Sequence, residues 1–248
     1  MKGLFFLIFS LLSCLSLAQA QLPADCSQVI LGVTKDWKST TVQLSVLQKD
    51  CKGQWQQMRG PYQGRLGRAG LVWGLGLQPN IKGSRIKKEG DGCSPAGIFS
   101  IGSLFLSMNQ KVYNPFRLNI IKVSPYDLWV SDMNQPHLYN RHVRLDHPAT
   151  SAWERKEQRR QNDYAPSLKL ESRHNAADVQ GRPIVGAGSS IFFHLWRNNG
   201  KSVTAGCTSM AEDVLRCFLS VLDPRRKPVY ILLPKAEYLK YRKAWNLP

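Results

Sequence analysis

The sequence lacks the signatures of a metal-held domain. Its 248 residues contain no Cys-x-x-Cys pair and no tight cluster of His and Cys, so no metal site is expected. Acidic side chains are scarce: 17 Asp and Glu stand against 34 Lys and Arg, a formal charge of +17. That surplus suits anionic envelope polymers or lipid headgroups. The basic residues are dispersed, and their clusters (RIKK, ERKEQRR, DPRRK) carry no interleaved aromatics. A nucleic-acid partner is therefore not expected. Internal repeats and low-complexity linkers are absent. After the N-terminus no stretch reaches 18 unbroken apolar residues, which leaves no candidate spanning helix and makes the mature chain peripheral to a membrane at most.

What is present begins with a leader. Lys2, the apolar run Leu4 to Leu17 and the small-x-small site Ala18-Gln19-Ala20 read as a secretory signal peptide over residues 1–20. A rival reading takes LLSC as a lipoprotein signal acylated at Cys14, in which the later site goes unused. Residues 21–248 are ample for one core and read as a single domain, exported to the periplasm or cell envelope.

Short apolar segments bounded by Gly and Pro fill that domain: GLVWGLGLQ, GIFSIG, YDLWVSD, SLKLES, SIFFHLW and PVYILLP. They predict a mainly β fold, a sandwich or barrel with few helices. SQVILGVTKDWKSTTVQLSVLQ reads as two strands around a polar turn, with Val42, Leu44 and Val46 alternating with Gln43 and Ser45. SAWERKEQRRQ, residues 151–161, is a charged helix or lid, and PKAEYLKYRKAW a C-terminal helix.

Five cysteines follow the leader, an odd number, so at least one stays unpaired within the chain. Cys26 and Cys51 are symmetric about the Lys38/Ser39 junction inside the hairpin turn. A regular hairpin would make them cross-strand neighbours, and a Cys26–Cys51 disulfide is expected. Cys217 falls on a helical apolar stripe with Met210, Val214, Phe218 and Val221, as a small buried hydrophobe; a bridge to Cys93 is the alternative.

The densest chemistry lies in FFHLWRNNGKSVTAGCTSMAEDVL, from Phe192 to Leu215. Ser209 and Glu212 form the Ser-x-x-Glu pattern of a capping box, which would place Cys207 at a helix N-terminus, where unpaired amides and the dipole favour thiolate. Gly206 allows a sharp turn and close approach of a substrate. His194 ends an apolar strand, within reach of the thiol by way of the RNNG loop. The pair is either a nucleophile with its base or a core His beside an inert Cys, and spacing alone does not decide. In EGDG, Asp91 reads as a turn-former bonding nearby amides, with acid–base work by Glu89 or Asp91 the rival. His137, His142, His147 and His174 lie in polar surroundings and are expected at the surface.

IFFHLWRNNGKSVTAGCTSMAEDVL closely resembles the active-site motif of the L,D-transpeptidase (YkuD-type) family, a His followed after a short loop by Ser/Thr-x-Gly-Cys. IKKEGDGCSPAGIFSIG, Ile86 to Gly102, resembles a second family segment; RLGRAGLVWGLGL and LDPRRKPVYILLP look like flanking segments of a branch with an HLWR…TAGCTSMAE motif. The similarity runs from about Ser27 to Leu233. It implies a β-sandwich-like catalytic domain without metal or organic cofactor, with Cys207 as nucleophile and His194 as base. Gly206 and the Cys207 amide would form the oxyanion hole, with Thr204 beside them at the substrate. The chain departs from the commoner form at His194-Leu195-Trp196, at Ala205 and at Ser209, where an arginine usually stands; Arg197 is the candidate to supply that charge. The implied reaction is acylation of Cys207 by a peptidoglycan tetrapeptide stem and transfer to an amine, a 3→3 cross-link. The rivals are an L,D-carboxypeptidase with water as acceptor and a non-catalytic envelope-binding protein.

Overall fold

The computed structural model describes residues 22–79, 81, 83–108, 110, 116–163, 168–176 and 182–248. The stretch read as a leader, with Cys14, lies outside them. The fold is mainly β, as expected. Ten strands form one sheet: β1 (Gln28–Thr34), β2 (Thr41–Lys49), β3 (Trp55–Arg65), β4 (Leu71–Trp73), β5 (Ser94–Ser107), β6 (Ile120–Val123), β9 (Leu168–Ser172), β10 (Phe192–Leu195), β11 (Thr208–Met210) and β12 (Val229–Pro234). A separate two-stranded sheet pairs β7 (Asp127–Val130) with β8 (Arg141–Arg144). Helix α1 (Ala152–Asp163) packs on β7, α2 (Glu212–Val221) on β10 and β3, and α3 (Lys235–Tyr241) on β12 and β1.

The large sheet closes on itself. Its order runs β12-β1-β2-β3-β11-β10-β9-β5, and β5 also pairs with β12. The first half of β5 meets β12 from Gly97 to Ser100, and its second half meets β9 from Ile101 to Leu106, with a register shift between Ile101 and Leu104. One long strand thereby serves both halves of a sandwich. Every residue of β12 is buried, because it lies between β1 and β5 with α3 over it. A strand covered on both faces reads as the unbroken apolar run PVYILLP rather than as alternation. β2 shows the other pattern: Val42, Leu44 and Val46 are buried while Gln43 is exposed. The main core joins Ile30, Leu44, Ile98, Phe99, Leu170, Phe193, Phe218 and Ile231.

The first hairpin forms with a register one residue away from the cysteine symmetry. Gln28 pairs with Gln48 and Leu31 with Ser45, so the hairpin turns about Lys38 itself. A one-residue offset puts side chains on opposite faces. Cys26 is buried and its thiol donates to the Gln28 carbonyl at 3.4 Å, whereas Cys51 is exposed in the following turn. The expected Cys26–Cys51 disulfide is absent, and all five described cysteines are free, Cys93 and Cys217 included.

The stretch after Cys207 also differs from the expected capped helix. Thr208–Met210 is a strand, parallel to β10 and joined to β3 through Ser209 and Arg65. Ser209 is buried in that ladder and caps nothing; α2 starts at Glu212 behind Ala211, which offers no side-chain cap. Sheet pairing on both sides of Thr208–Met210 overrides the local capping signal. Cys207 therefore precedes a strand, and the helix-terminus argument for an acidic thiol does not apply.

Candidate active site

β9, β10 and β11 lie side by side, and their register builds the site. Phe193 pairs with Thr208 and His194 with Ser209 in parallel; Phe192 pairs with Glu171 and His194 with Lys169 in antiparallel. Residues opposite one another share a face, and residues two apart along a strand share it too. Phe192, His194, Ser209 and Lys169 are thus on one face, and Cys207, two residues before Ser209, arrives at the same side. A cleft of about 200 Å³ opens there, lined by Cys207, His194 and Lys169 together with Lys87, Trp129 and Ser190. The structure brings together the Cys and His that sequence spacing left undecided.

His194 is buried, and its Nδ1 lies 2.7 Å from the Leu195 carbonyl oxygen. A carbonyl only accepts, so Nδ1 carries the proton and Nε2 keeps its lone pair. Burial pushes the imidazole down to about 4; the Leu195 carbonyl works against that, while Lys169 and Arg197 add to it. The ring is neutral at pH 7, in the tautomer a base requires.

Cys207 is half-buried and its thiol donates to the Ser190 carbonyl at 3.3 Å. Burial raises its pKa above the ordinary value; the Phe192 amide and the charges of Lys169 and Lys87 oppose this without overcoming it. The resting pair is therefore thiol and neutral imidazole, not an ion pair. Phe105, Trp129 and Phe192 pack edge to face beside the sulfur, with ring centroids 4.8 Å apart for Trp129 and Phe192 and 5.6 Å for Phe105 and Trp129.

The Cys207 loop is held by Thr204, whose hydroxyl donates to the Cys207 carbonyl at 2.7 Å and accepts from the Gly206 amide at 3.1 Å. The Gly206 N–H is thus engaged within the loop, and of the two expected oxyanion donors the Cys207 amide is the better candidate. Gly206 has φ +152°, and a Cβ there would lie 2.9 Å from the Cys93 carbonyl oxygen. The Cys93 carbonyl, just ahead of β5, leaves room for glycine alone. Arg197 is exposed and does not line the cleft, although its charge reaches His194.

Sequence reading missed three wall residues. Lys169 is 3 % exposed, its Nζ lies 5.5 Å from the centre of the Phe192 ring, and burial pushes its ammonium down to about 8. The signal was a lysine inside an apolar strand, SLKLES, directly between the buried Leu168 and Leu170. Lys87 is equally buried and pairs with Asp91 at 2.6 Å. The Asp91 carboxylate also accepts from the Lys88 and Cys93 amides at 2.9 Å each, the turn-forming role. Burial opposes its ionisation, but Lys87 and those two amides hold its pKa below the ordinary value. Trp129 comes from β7, too distant in sequence for any local pattern to connect it with Cys207.

His174 was expected at the surface and is instead enclosed. Its Nδ1 accepts from the Leu75 amide at 3.1 Å, and Nε2 faces the Ala187 carbonyl at 2.9 Å. Asn175 binds the Ile184 and Gly188 carbonyls, and Asn140 accepts from the Ser190 amide. These three side chains fix the 184–190 loop, which presents the Ser190 carbonyl to the thiol. His137 and His147 are exposed, and His142 is half-buried on Asp127 at 2.8 Å.

Among the described residues no group of His, Cys, Asp and Glu is arranged to hold a metal ion, and no helix is long and apolar enough to cross a membrane. A family model, YkuD, the L,D-transpeptidase catalytic domain, matches residues 59–231. No curated protein and no solved structure matches the chain.

Proposed function

The chain belongs to the L,D-transpeptidase catalytic domain family, whose members act on peptidoglycan peptides, and from that premise we propose that it is an exported cross-linking enzyme with Cys207 as nucleophile. The observation that carries the reading is the convergence of a half-buried thiol and a neutral, tautomer-fixed imidazole in one cleft. Nε2 of His194 takes the Cys207 proton, and the sulfur attacks the diaminopimelate carbonyl of a tetrapeptide stem. The tetrahedral oxyanion faces the Cys207 amide. The C–N bond breaks, the departing D-alanine nitrogen takes the proton from His194, and a thioester remains. An amine of a second stem attacks that carbonyl and gives its proton to Nε2. The C–S bond breaks, and the thiolate recovers the proton.

The aromatic wall of Phe105, Trp129 and Phe192 supports an amine over water as acceptor, since it limits solvent at the thioester. The surplus positive charge suits stems that carry free carboxylates. Export through the 1–20 leader belongs to the same proposal, because the substrate lies outside the cytoplasm. The test is incubation of the purified mature protein with tetrapeptide muropeptides and mass analysis. Dimers one D-alanine lighter than two monomers support the reading. Tripeptide monomers alone indicate the carboxypeptidase, and unchanged muropeptides indicate a binding protein.

A further inference from the structure

We infer that Asn140 is a positioning residue for the nucleophile: it acts on Cys207 through Ser190, whose carbonyl it holds against the thiol. The inference rests on the reading of Cys207 as nucleophile and adds what sets the sulfur in place. Asn140 stands just ahead of β8 and is 8 % exposed. Its Nδ2 donates to the His174 and Asn175 carbonyls at 2.9 and 3.0 Å. Its Oδ1 accepts from the Ser190 amide at 3.1 Å and from the Trp129 indole at 3.2 Å. Carbonyls only accept and N–H groups only donate, so the side-chain amide has one orientation and all its hydrogen-bonding positions are filled. One side chain thus ties β7 and β8 to the chain just after β9 and to the segment that enters β10.

Ser190 is the link that needs holding. Its φ is +57°, a left-handed conformation uncommon outside glycine. In that conformation its carbonyl accepts the Cys207 thiol at 3.3 Å, and two residues on the Phe192 amide reaches the same sulfur. Such a backbone conformation persists only where the surroundings enforce it. The bond from the Ser190 amide to Asn140 does so here. Without it, Ser190 relaxes to negative φ and its carbonyl turns away from the sulfur. The carbonyl contact keeps the proton on sulfur at rest, because a carbonyl oxygen bonds S–H and repels the thiolate. It also fixes the sulfur in the cleft where His194 takes that proton. The same Oδ1 holds the Trp129 ring, so the nucleophile and the aromatic wall share one anchor.

Alkylation of Cys207 by iodoacetamide across pH, read by peptide mapping, tests this without a substrate. The titratable groups that line the cleft around the thiol are Lys169 from β9, His194 from β10, and Lys87 and Glu89 from the segment before β5. They are the same in every variant. Asn140→Ala should lower the alkylation midpoint by about 0.5–1 pH unit, the size of one lost hydrogen bond to the neutral thiol. It should also slow acylation by a tetrapeptide muropeptide about ten-fold or more. Adding Ser190→Gly to Asn140→Ala should recover part of both, because glycine takes the left-handed conformation without help. A midpoint unmoved in Asn140→Ala overturns the proposal, as does a double variant no closer to the parent. So does labelling of Cys26, buried in the main core, that rises together with that of Cys207, since Asn140 would then serve the fold alone. Hydrogen exchange in the parent protein decides whether or not the variants fold. The Ser190 amide should be protected, and exchange at the rate of a free amide overturns the assignment. If muropeptides leave the parent unacylated, the donor reading fails, while the alkylation midpoints still decide the role of Asn140.

Discussion

The Nδ1 of His194 lies 2.7 Å from the carbonyl oxygen of Leu195, its own neighbour in the chain. The backbone thus does the orienting that a carboxylate does in other Cys–His pairs. It fixes the tautomer without adding negative charge, in keeping with an imidazole held neutral down to about pH 4. His194→Gln keeps a polar group of similar size but removes the base. Acylation of Cys207 by a tetrapeptide donor should slow by about 10²–10⁴-fold, read as the rate at which the acyl-enzyme mass appears. A variant acylated at the parent rate would remove His194 from the mechanism.

Gly206→Ala should be a near-total loss of activity in a folded protein. The new methyl would meet the Cys93 carbonyl oxygen at 2.9 Å, and both atoms involved belong to the backbone frame. The Thr204–Cys207 loop must shift, and with it the Cys207 sulfur. The expected stability cost is about 1–3 kcal/mol. Far-UV circular dichroism should stay unchanged while donor acylation falls by at least two orders of magnitude, the scale of about 1 Å of misplacement in a catalytic group.

The cysteines should be chemically distinct. Cys51 is exposed, while Cys26 is buried and its thiol pKa is raised by that burial. A maleimide should label Cys51 rapidly in the native protein and Cys26 only after unfolding. Peptide mapping without reductant should recover both as thiols. A Cys26–Cys51 peptide pair would contradict the hairpin register.

Ala211 offers a stabilising change away from the cleft. It holds the N-cap position of α2 in extended geometry, φ −61° and ψ 152°, with no side-chain acceptor for the first helical amides. Ala211→Ser supplies one and should add about 1 kcal/mol in urea unfolding. Ser209→Ala should leave α2 unaffected, since Ser209 belongs to the strand before it.

These contrasts mark what a sequence can disclose. β1, β2, β10 and β12 were legible because their apolar runs are set by local burial. β3 was not: Gly64 alone is buried, Gln and Arg interrupt any apolar run, and its pairing with β2 makes it a strand. Cys207 and His194 were legible as residue types beside a glycine turn. Lys169 and Trp129 reach the cleft only through β9 and β7, a matter of topology rather than spacing. The capping box misled because Ser209, flanked by β10 and β3, satisfies its backbone in a sheet. The disulfide misled by a single residue of register.

Two buried histidines tie the stability of the protein to pH. His174 and His194 each have a pKa lowered from 6.5 to about 4 by burial. In the unfolded chain they bind protons near pH 6.5, while the folded protein resists until about pH 4. Between those values the unfolded state holds more protons, so stability rises with pH and is lost on acidification. Full protonation of the unfolded state amounts to roughly 3 kcal/mol per histidine. Carboxylates act in a lower window. Asp127 is held down to about 2: its burial opposes this, but Arg144, Ser124 and His142 prevail. Its contribution disappears only below the ordinary carboxylate range. Urea unfolding at intervals from pH 7 to pH 4 should therefore show most of its decline between about pH 6.5 and 4.5. His174→Gln, which removes one of the two groups, should lower stability at pH 7 and flatten that decline. A stability constant from pH 7 to pH 5 would mean that neither histidine is held neutral by burial.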